Sequence, residues 1–412
     1  MATAPIPENS MPAPAPVHPL RERNFRMFWV GSTISLLGDQ FYLVALPWVV
    51  LQITDSAKAV GGILMAASIP RAVLMLIGGA VTDRISPRKI SMATATARTI
   101  LVAAVGVLLR MNRLHIQELY VLGFLFGIAD AFSMPAASAF FPSLVKREQM
   151  VSATSVFQTT AQLTGIVAPT PAALVIKAFG YAWAFFIDAI SFLFVIGALW
   201  RLPDPPQPQT TTKKPPVWHS ILEGFAYIYR DVPLRLLMLI VAMMNLCLTG
   251  PMSVGLPFLA KTKFGTPTSY AVMVTCAAAG GLLGALLAGV WKVKRRGLLF
   301  FLSCAALSVC LGSIGILSRP WTISVALLLM TGSAGLANVH IGAWIQQRID
   351  ATVRGRVMSV LMLFSYGILP ISIALAGLLA SWSLKGMFLI GASALLIVTC
   401  FGALQKEVRQ IA

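Results

Sequence analysis

Apolar runs dominate the chain. Twelve of them follow one another, separated by short polar segments. A hydrocarbon layer about 30 Å thick is crossed by about 20 apolar residues in a helix. Inside such a layer the backbone has no water to bond, so every N–H and C=O must be satisfied within the segment, which dictates helix. The runs predict helices at 27–52, 59–82, 89–110, 119–142, 151–177, 181–200, 235–258, 269–292, 298–317, 321–346, 355–380 and 386–404. The expected fold class is all-α, with twelve transmembrane helices.

One connection is long. Residues 201–234 hold Pro203, Pro205, Pro206 and Pro208, then Lys213 and Lys214, then an amphipathic stretch near Trp218 to Arg230. This segment divides the helices six and six. The expected organisation is a disordered cytoplasmic tail (1–26), a six-helix bundle (27–200), a cytoplasmic linker with an amphipathic helix (201–234), a second bundle (235–404) and a short tail (405–412). The first 20 residues are rich in Pro and Ala without an apolar core, so they read as a flexible tail and not as a cleaved leader.

Composition agrees with this pattern. Of 412 residues, 57% are hydrophobic and only 11% are charged, against about 25% charged in soluble domains. No stretch is left to form a soluble enzyme core. The net charge of +18 would suggest nucleic acid in a soluble protein. Here the basic residues lie between the apolar runs, and no nucleic-acid-binding motif accompanies them. With both termini inside, twenty-two of the 32 Lys and Arg fall in cytoplasmic segments. Eight fall outside, and Arg71 and Arg98 lie within helices. That bias follows the positive-inside rule, so the expected location is the cytoplasmic membrane with both termini cytoplasmic.

The five cysteines (Cys247, Cys276, Cys304, Cys310 and Cys400) lie in apolar runs without a CxxC pair, so they read as packing residues and not as a disulfide or zinc framework. There is no Walker loop, no metal-ligand cluster and no Ser–His–acid set, so no cofactor, metal or catalysis is expected. Small residues recur in the eighth run at Ala277, Gly281, Ala285 and Gly289, with Gly280 and Gly284 beside them. This reads as a close-packing face.

The two halves echo each other at a shift of about 205 residues, in the starts of runs one and seven and in the loops PSLVKREQMVSA and QQRIDATVRGRVMSV. Duplicated six-helix units are a known transporter plan, with substrate bound between them near the midplane.

After the second run comes GGAVTDRISPRK, residues 78–89. It resembles the loop signature of the major facilitator superfamily at Gly79, Asp83, Arg84, Arg88 and Lys89. Ser86 and Pro87 stand where that pattern has Gly and a basic residue. LGDQFYLVALPWVV (37–50), FIDAISFL (186–193), GLPFL (255–259) and RGRVMSV (354–360) are similar to the macrolide-efflux and enterobactin-exporter branch. The resemblance implies two pseudo-symmetric six-helix bundles and export of drugs, siderophores or other amphiphiles. It implies a cytoplasmic gate at Gly79, Asp83, Arg84, Arg88 and Lys89, with Asp83 at the start of helix eleven near Arg354 to Val357. A carboxylate is favoured at a helix N-terminus; the alternative is a solvated loop carboxylate. The antiporter pattern of the fifth helix is only partly kept: Gly165 and Pro169 stand, but Ala168, Ala172 and Ala173 replace glycines.

Ionisable groups at mid-helix cost upward of about 2.5 kcal/mol and must face a cavity or a partner. Five are present, all in the first half: Asp39, Arg71, Arg98, Asp130 and Asp188. Asp39 is the first candidate for proton coupling or substrate contact, because Ser32, Ser35 and Tyr42 extend a polar stripe through it. The competing reading is a permanent pair with Arg71 or Arg98. Asp130 is expected either to pair with Arg98 or to share proton handling with Asp39. Arg71 and Arg98 read as charge partners, and Asp188 as structural. Candidate polar cavity residues are Ser35, Tyr42, Gln158, Gln162 and Asn245; the two glutamines would equally bridge helices. His340 reads as packing, and Phe41, Tyr42, Trp48 and Phe157 as a possible aromatic lining. The expected function is secondary active export of a small amphiphile, by proton antiport with alternating access. The expected partners are that substrate, protons and membrane lipids, with no nucleic acid and a monomeric state. An uncoupled facilitator or lysolipid flippase, and a membrane receptor or sensor, are the alternatives.

Overall fold

The computed structural model describes residues 18–82, 84–204, 217–291, 296–349 and 353–405. Twelve of its helical segments are long and apolar enough to cross a membrane, so the chain is a multi-pass membrane protein. The first half comprises α1 (Arg23–Thr54), α2 (Ala57–Thr82), α3 (Pro87–Arg110), α4 (Ile116–Phe140), a fifth span made of α5 (Met150–Val167) and α6 (Pro169–Phe179), and α7 (Tyr181–Arg201). A linker helix α8 (Val217–Arg230) precedes the second half. There the seventh span joins α9 (Val232–Gly250) to α10 (Leu256–Phe264). Then come α11 (Pro267–Val290), α12 (Arg296–Ile316), α13 (Pro320–Arg348), an eleventh span of α14 (Arg354–Gly367) and α15 (Leu369–Trp382), and α16 (Leu384–Leu404).

Three expected helices are broken, each next to proline. Proline lacks the N–H that would bond the preceding turn and crowds the carbonyl four residues back. Pro169 interrupts the fifth span, and Pro370 follows the break at Ile368 in the eleventh. In the seventh, Pro251–Gly255 forms a π-helical turn. Spans five and eleven are counterparts in the two halves, so the breaks repeat with the duplication.

Packing repeats with it too. In the first half α1 and α3 lie against α7, and α2 and α3 against α4; in the second, α9 and α12 lie against α16, and α11 and α12 against α13. The halves meet where α2 packs on α15 and where α5 and α6 pack on α11. These are the same pairing seen from either half. The chain thus forms two pseudo-symmetric six-helix bundles.

Close packing rests on a few glycines. A Cβ on Gly127 would lie 2.0 Å from the Ala67 carbonyl oxygen, so α2 and α4 touch along their backbones. In the second half Gly284 meets Gly332, and Gly280 meets Leu328 of α13, equally closely. The expected stripe in the eighth run is therefore shifted by a residue or so. Gly280, Gly284 and Ala288 form the buried face, Ala277 turns to a cavity and Gly289 faces open space.

The first helix begins at Arg23, before the expected position, because Phe25 and Phe28 are core residues. They join Phe140, Leu144, Ala153, Leu199 and Leu202 in a cluster that ties α1, α4, α5 and α7 together where the chain ends lie. With an even number of spans both ends share one side, the termini face; the opposite side is the far face. The linker helix α8 docks on α14: Glu223 pairs with Arg356, Gly224 abuts the Arg356 carbonyl, and Phe225 packs on Phe364.

Candidate functional site

Four of the five mid-helix charges come together in the first half, each half-buried. Arg98 Nη2 on α3 donates to Asp39 Oδ1 on α1 at 3.0 Å. Arg98 Nη1 lies 4.0 Å from Asp130 on α4, and Arg71 on α2 donates to the other Asp130 oxygen at 3.1 Å. The result is an electrically balanced chain, Asp39–Arg98–Asp130–Arg71, across four helices. The Arg98 guanidinium also lies over Phe126 at 4.9 Å and Phe192 at 4.4 Å. Tyr42 stacks on Phe126 and meets Phe185 edge-on. A desolvated cation over an aromatic face gains about 2 kcal/mol, so these rings hold the arginine where water does not.

This chain opens onto a cavity of about 420 Å³ between the bundles, within the usual range for small-molecule sites of about 300–1,000 Å³. The first half supplies Tyr42, Ser68, Arg71, Phe126 and Asp130; the second supplies Thr249, Met252, Ser253, Tyr270 and Thr331. Its lining is mostly apolar with one charged end at Arg71–Asp130. Asp39 and Arg98 stand behind that end and not in the wall. A larger concavity of about 650 Å³ lies elsewhere, in an outer groove between α1 and α7 edged by Arg23, Arg26 and Arg201. It contains none of the candidate residues and does not lie between the bundles.

Several expected residues lie elsewhere. Ser35 is buried, because Gly31, Ser35 and Gly38 form the stripe on which α7 packs. Gln158 and Gln162 are exposed and off the cavity. The fifth span instead turns Ala153 and Thr164 inward and accepts a 2.9 Å bond at Thr160 from Trp29 Nε1, on the opposite face. Asn245 bonds within its own helix, to the Val241 carbonyl, and does not line the cavity. Trp48 is core, and Phe157 stacks on Phe28 in the terminal cluster, so of the expected aromatic set only Tyr42 reaches the cavity. The second-half liners at the Pro251–Gly255 turn were not expected; Gly250-Pro251 was the signal available.

At the termini face Asp83 lies outside the described residues, and Gly79 lies in α2. Arg84 and Lys89 are exposed. Arg88 turns away from the other half: it donates to the Leu199 and Trp200 carbonyls at 2.6 and 2.8 Å and pairs with Asp204 at 3.5 Å. Ser86 donates to the same carboxylate at 2.7 Å. The Ser86 hydroxyl, then the charges of Arg88 and Lys89, hold the Asp204 carboxyl below the usual carboxylate range.

The named polar contacts between halves gather toward the far face. Lys261 of α10 reaches both Asp55 and the Leu51 carbonyl at the end of α1. A Cβ on Gly61 would lie 3.1 Å from the Gly377 Cα. Thr275 of α11 donates to the Ile166 carbonyl at 3.3 Å.

A duplicated twelve-span bundle enclosing a cavity between its halves defines a membrane transporter, not an enzyme. The sequence profile of the Major Facilitator Superfamily matches residues 28–374, and the chain belongs to that family. It is 28% identical over 355 residues to the multidrug efflux pump Tap of Mycolicibacterium fortuitum, covering 83% of this chain and 86% of that one. It is 23% identical over 398 residues to macrolide efflux protein A of Streptococcus pyogenes (94% and 97% covered). To the enterobactin exporter EntS of Escherichia coli it is 24% identical over 315 residues (75% and 73%). The fold is similar to the nucleoside transporter NupG, with TM-score 0.73, 11% identity and coverage of 92% and 98%. It is also similar to a bacterial homologue of the iron transporter ferroportin in an inward-facing state, with TM-score 0.71, 16% identity and the same coverage.

Proposed function

We propose that this transporter exports small amphiphilic compounds across the cytoplasmic membrane by proton antiport. The observation that carries the reading is the cavity between the bundles, apolar along most of its wall and charged at Arg71–Asp130. Such a site suits a molecule with an apolar body and one polar or charged end. The termini face is cytoplasmic by the distribution of basic residues. The cross-half contacts at Asp55–Lys261 and Gly61–Gly377 then form the external gate, and the structure is closed outward. The efflux functions of the three relatives point the same way.

Coupling follows from the balanced charge chain. Asp130 is its member at the cavity wall, and Asp39 is the partner behind Arg98. A proton reaching either carboxylate leaves one guanidinium without its counter-charge. In a low-dielectric site that imbalance is costly, so protonation shifts the rest of the network. A cationic substrate at Asp130 competes with the proton for the same charge, which is antiport.

The test is transport in liposomes under an imposed pH gradient, using a panel of cationic dyes, macrolides and catecholate siderophores. Gradient-driven uptake that disappears in Asp39→Asn and Asp130→Asn while binding persists is the expected result. Transport indifferent to the gradient would instead indicate an uncoupled facilitator or lipid flippase. Binding without any transport would indicate a receptor.

A further inference from the structure

The charge chain leaves one buried carboxyl over. Away from the helix ends, the described spans of the first half hold three carboxylic acids (Asp39, Asp130 and Asp188) but two guanidiniums, Arg71 and Arg98, and the ion pairs use only Asp39 and Asp130. Asp188 on α7 has no exposed surface. Its Oδ2 has no protein partner, and its Oδ1 lies only 3.5 Å from the Ser191 hydroxyl, which already donates to the Asp188 carbonyl at 2.7 Å. An ionised carboxylate in that setting has neither water nor a counter-charge.

Asp188 is nevertheless beside the chain. It packs against Gly38, where an added Cβ would come within 2.9 Å of Asp188 Oδ1, and Gly38 precedes Asp39. The titratable groups that face it are Asp39 and Tyr42 from α1 and Arg98 from α3; from α7 itself the facing polar group is Ser191. The Nε of Arg98 is buried and also lacks a protein partner. A buried acceptor on α7 and a buried donor on α3, two helices packed against each other, are therefore both left over.

We propose that Asp188 is a neutral carboxylic acid in this state and the alternate partner of Arg98. When Arg98 pairs with Asp39, the proton sits on Asp188. When Arg98 turns to Asp188, the Asp188 O–H bond breaks and the proton forms an O–H bond on Asp39, which has lost its counter-charge. Protons and charge balance in this exchange, and no other reactant is required. Since Asp39 is partly exposed and Asp188 is not, the exchange moves a proton between a sealed carboxyl and an accessible one. This deepens the proton-coupling reading and rests on it.

Infrared spectroscopy of the purified full-length protein in lipid tests the proposal without any transport readout. At neutral pH the wild type should show the C=O stretch of a protonated carboxylic acid that resists deuterium exchange. Asp188→Asn should lack that band. Asp39→Asn should lack it as well, although Asp188 is still present, because Arg98 then turns to Asp188 and ionises it. A band that survives in Asp188→Asn belongs to another acid and overturns the assignment. A band that survives in Asp39→Asn overturns the shared-partner exchange. Asparagine is the isostere of the neutral acid, so Asp188→Asn should fold; if it is not recovered, Asp188→Glu takes its place and should shift the band in frequency, whereas an unshifted band overturns the assignment. Loss of transport coupling in Asp39→Asn together with an unchanged acid band would leave the antiport reading standing and remove this one.

Discussion

Arg98 lies 3.0 Å from Asp39 and 4.0 Å from Asp130, so one guanidinium balances two carboxylates on different helices. Removing the arginine should therefore do more damage than removing either acid. Breaking a buried pair costs roughly 3–5 kcal/mol when a charge is left behind. Arg98→Gln is expected to lower the melting temperature and yield strongly. Asp39→Asn should do so less, because Arg98 keeps Asp130 within reach and can take Asp188 as its counter-charge. The double variant Asp39→Asn/Arg98→Gln should recover part of the loss, since it removes both charges. Thermal unfolding in detergent of the three variants checks this. A double variant no better than Arg98→Gln would show that the pair is not energetically coupled.

Filling the cavity should separate substrate binding from folding. Val274 lines the space between the bundles from α11, and Val274→Trp adds bulk into open volume. The expected outcome is at least a tenfold weaker apparent affinity, about 1.4 kcal/mol, with thermal stability close to wild type. Ala67 lines the same cavity, but its backbone carries the α2–α4 contact at Gly127. Gly127→Leu should therefore abolish folding where Val274→Trp does not. Substrate binding by fluorescence quenching, read beside melting curves, distinguishes the two.

Much of the fold was legible in the chain because hydrophobic length alone dictates a spanning helix. The twelve spans fall where the apolar runs placed them. The duplication was visible in the repeated loop. What composition does not encode is the rotation of each helix. Ser35 sits on the same stripe as Asp39 in sequence, yet the neighbouring glycines draw that face onto α7. Gln158 and Gln162 are polar, and polarity invited a cavity role, but Thr160 and Thr164 won the inward face. The five mid-helix charges stood out in the chain, since their desolvation demands partners. Which acid met which arginine depended on tertiary packing, and so did the isolation of Asp188. Prolines stand at the breaks of spans five, seven and eleven, but Pro47, Pro70 and Pro135 lie inside unbroken helices, so neither the breaks nor the π turn that brings Met252 and Ser253 to the cavity could be read from the chain.

Arg88 fastens the start of α3 to the end of α7 through two carbonyls and Asp204. Lys89, which is exposed, adds only a long-range charge. Arg88→Ala should destabilise the first half measurably more than Lys89→Ala. The Asp204 carboxyl is held below its ordinary value of 3.8. A carboxylate so held stabilises the fold fully above its unfolded value, and the contribution is lost as pH falls through the lower folded value. The difference between wild type and Asp204→Asn should therefore be present near neutral pH and vanish in acid below that point. Because Asp204 is well exposed, the difference should be small and reduced by salt. Melting temperatures across an acid titration, at low and high ionic strength, provide the measurement.

Lys261 and Asp55 join α10 to α1 at the far face, and Gly61 and Gly377 bring α2 and α15 together beside them. If this closure is the external gate, weakening it should populate the outward-open state. Lys261→Gln removes the ion pair and also the donor to the Leu51 carbonyl. Gly377→Leu adds bulk where the Gly61 and Ala57 backbones leave no room. Both variants should raise labelling of a cysteine placed at cavity residue Ile373 by a membrane-impermeant thiol reagent added outside, in a background without the native cysteines. Moving a two-state equilibrium tenfold takes about 1.4 kcal/mol, which one partly exposed ion pair approaches only in part. Gly377→Leu should therefore have the larger effect, because it acts sterically and is not screened by salt. Labelling unchanged in both variants would show that these contacts do not hold the far face closed. Labelling that rises in Lys261→Gln but not in Gly377→Leu would assign the closure to the ion pair alone.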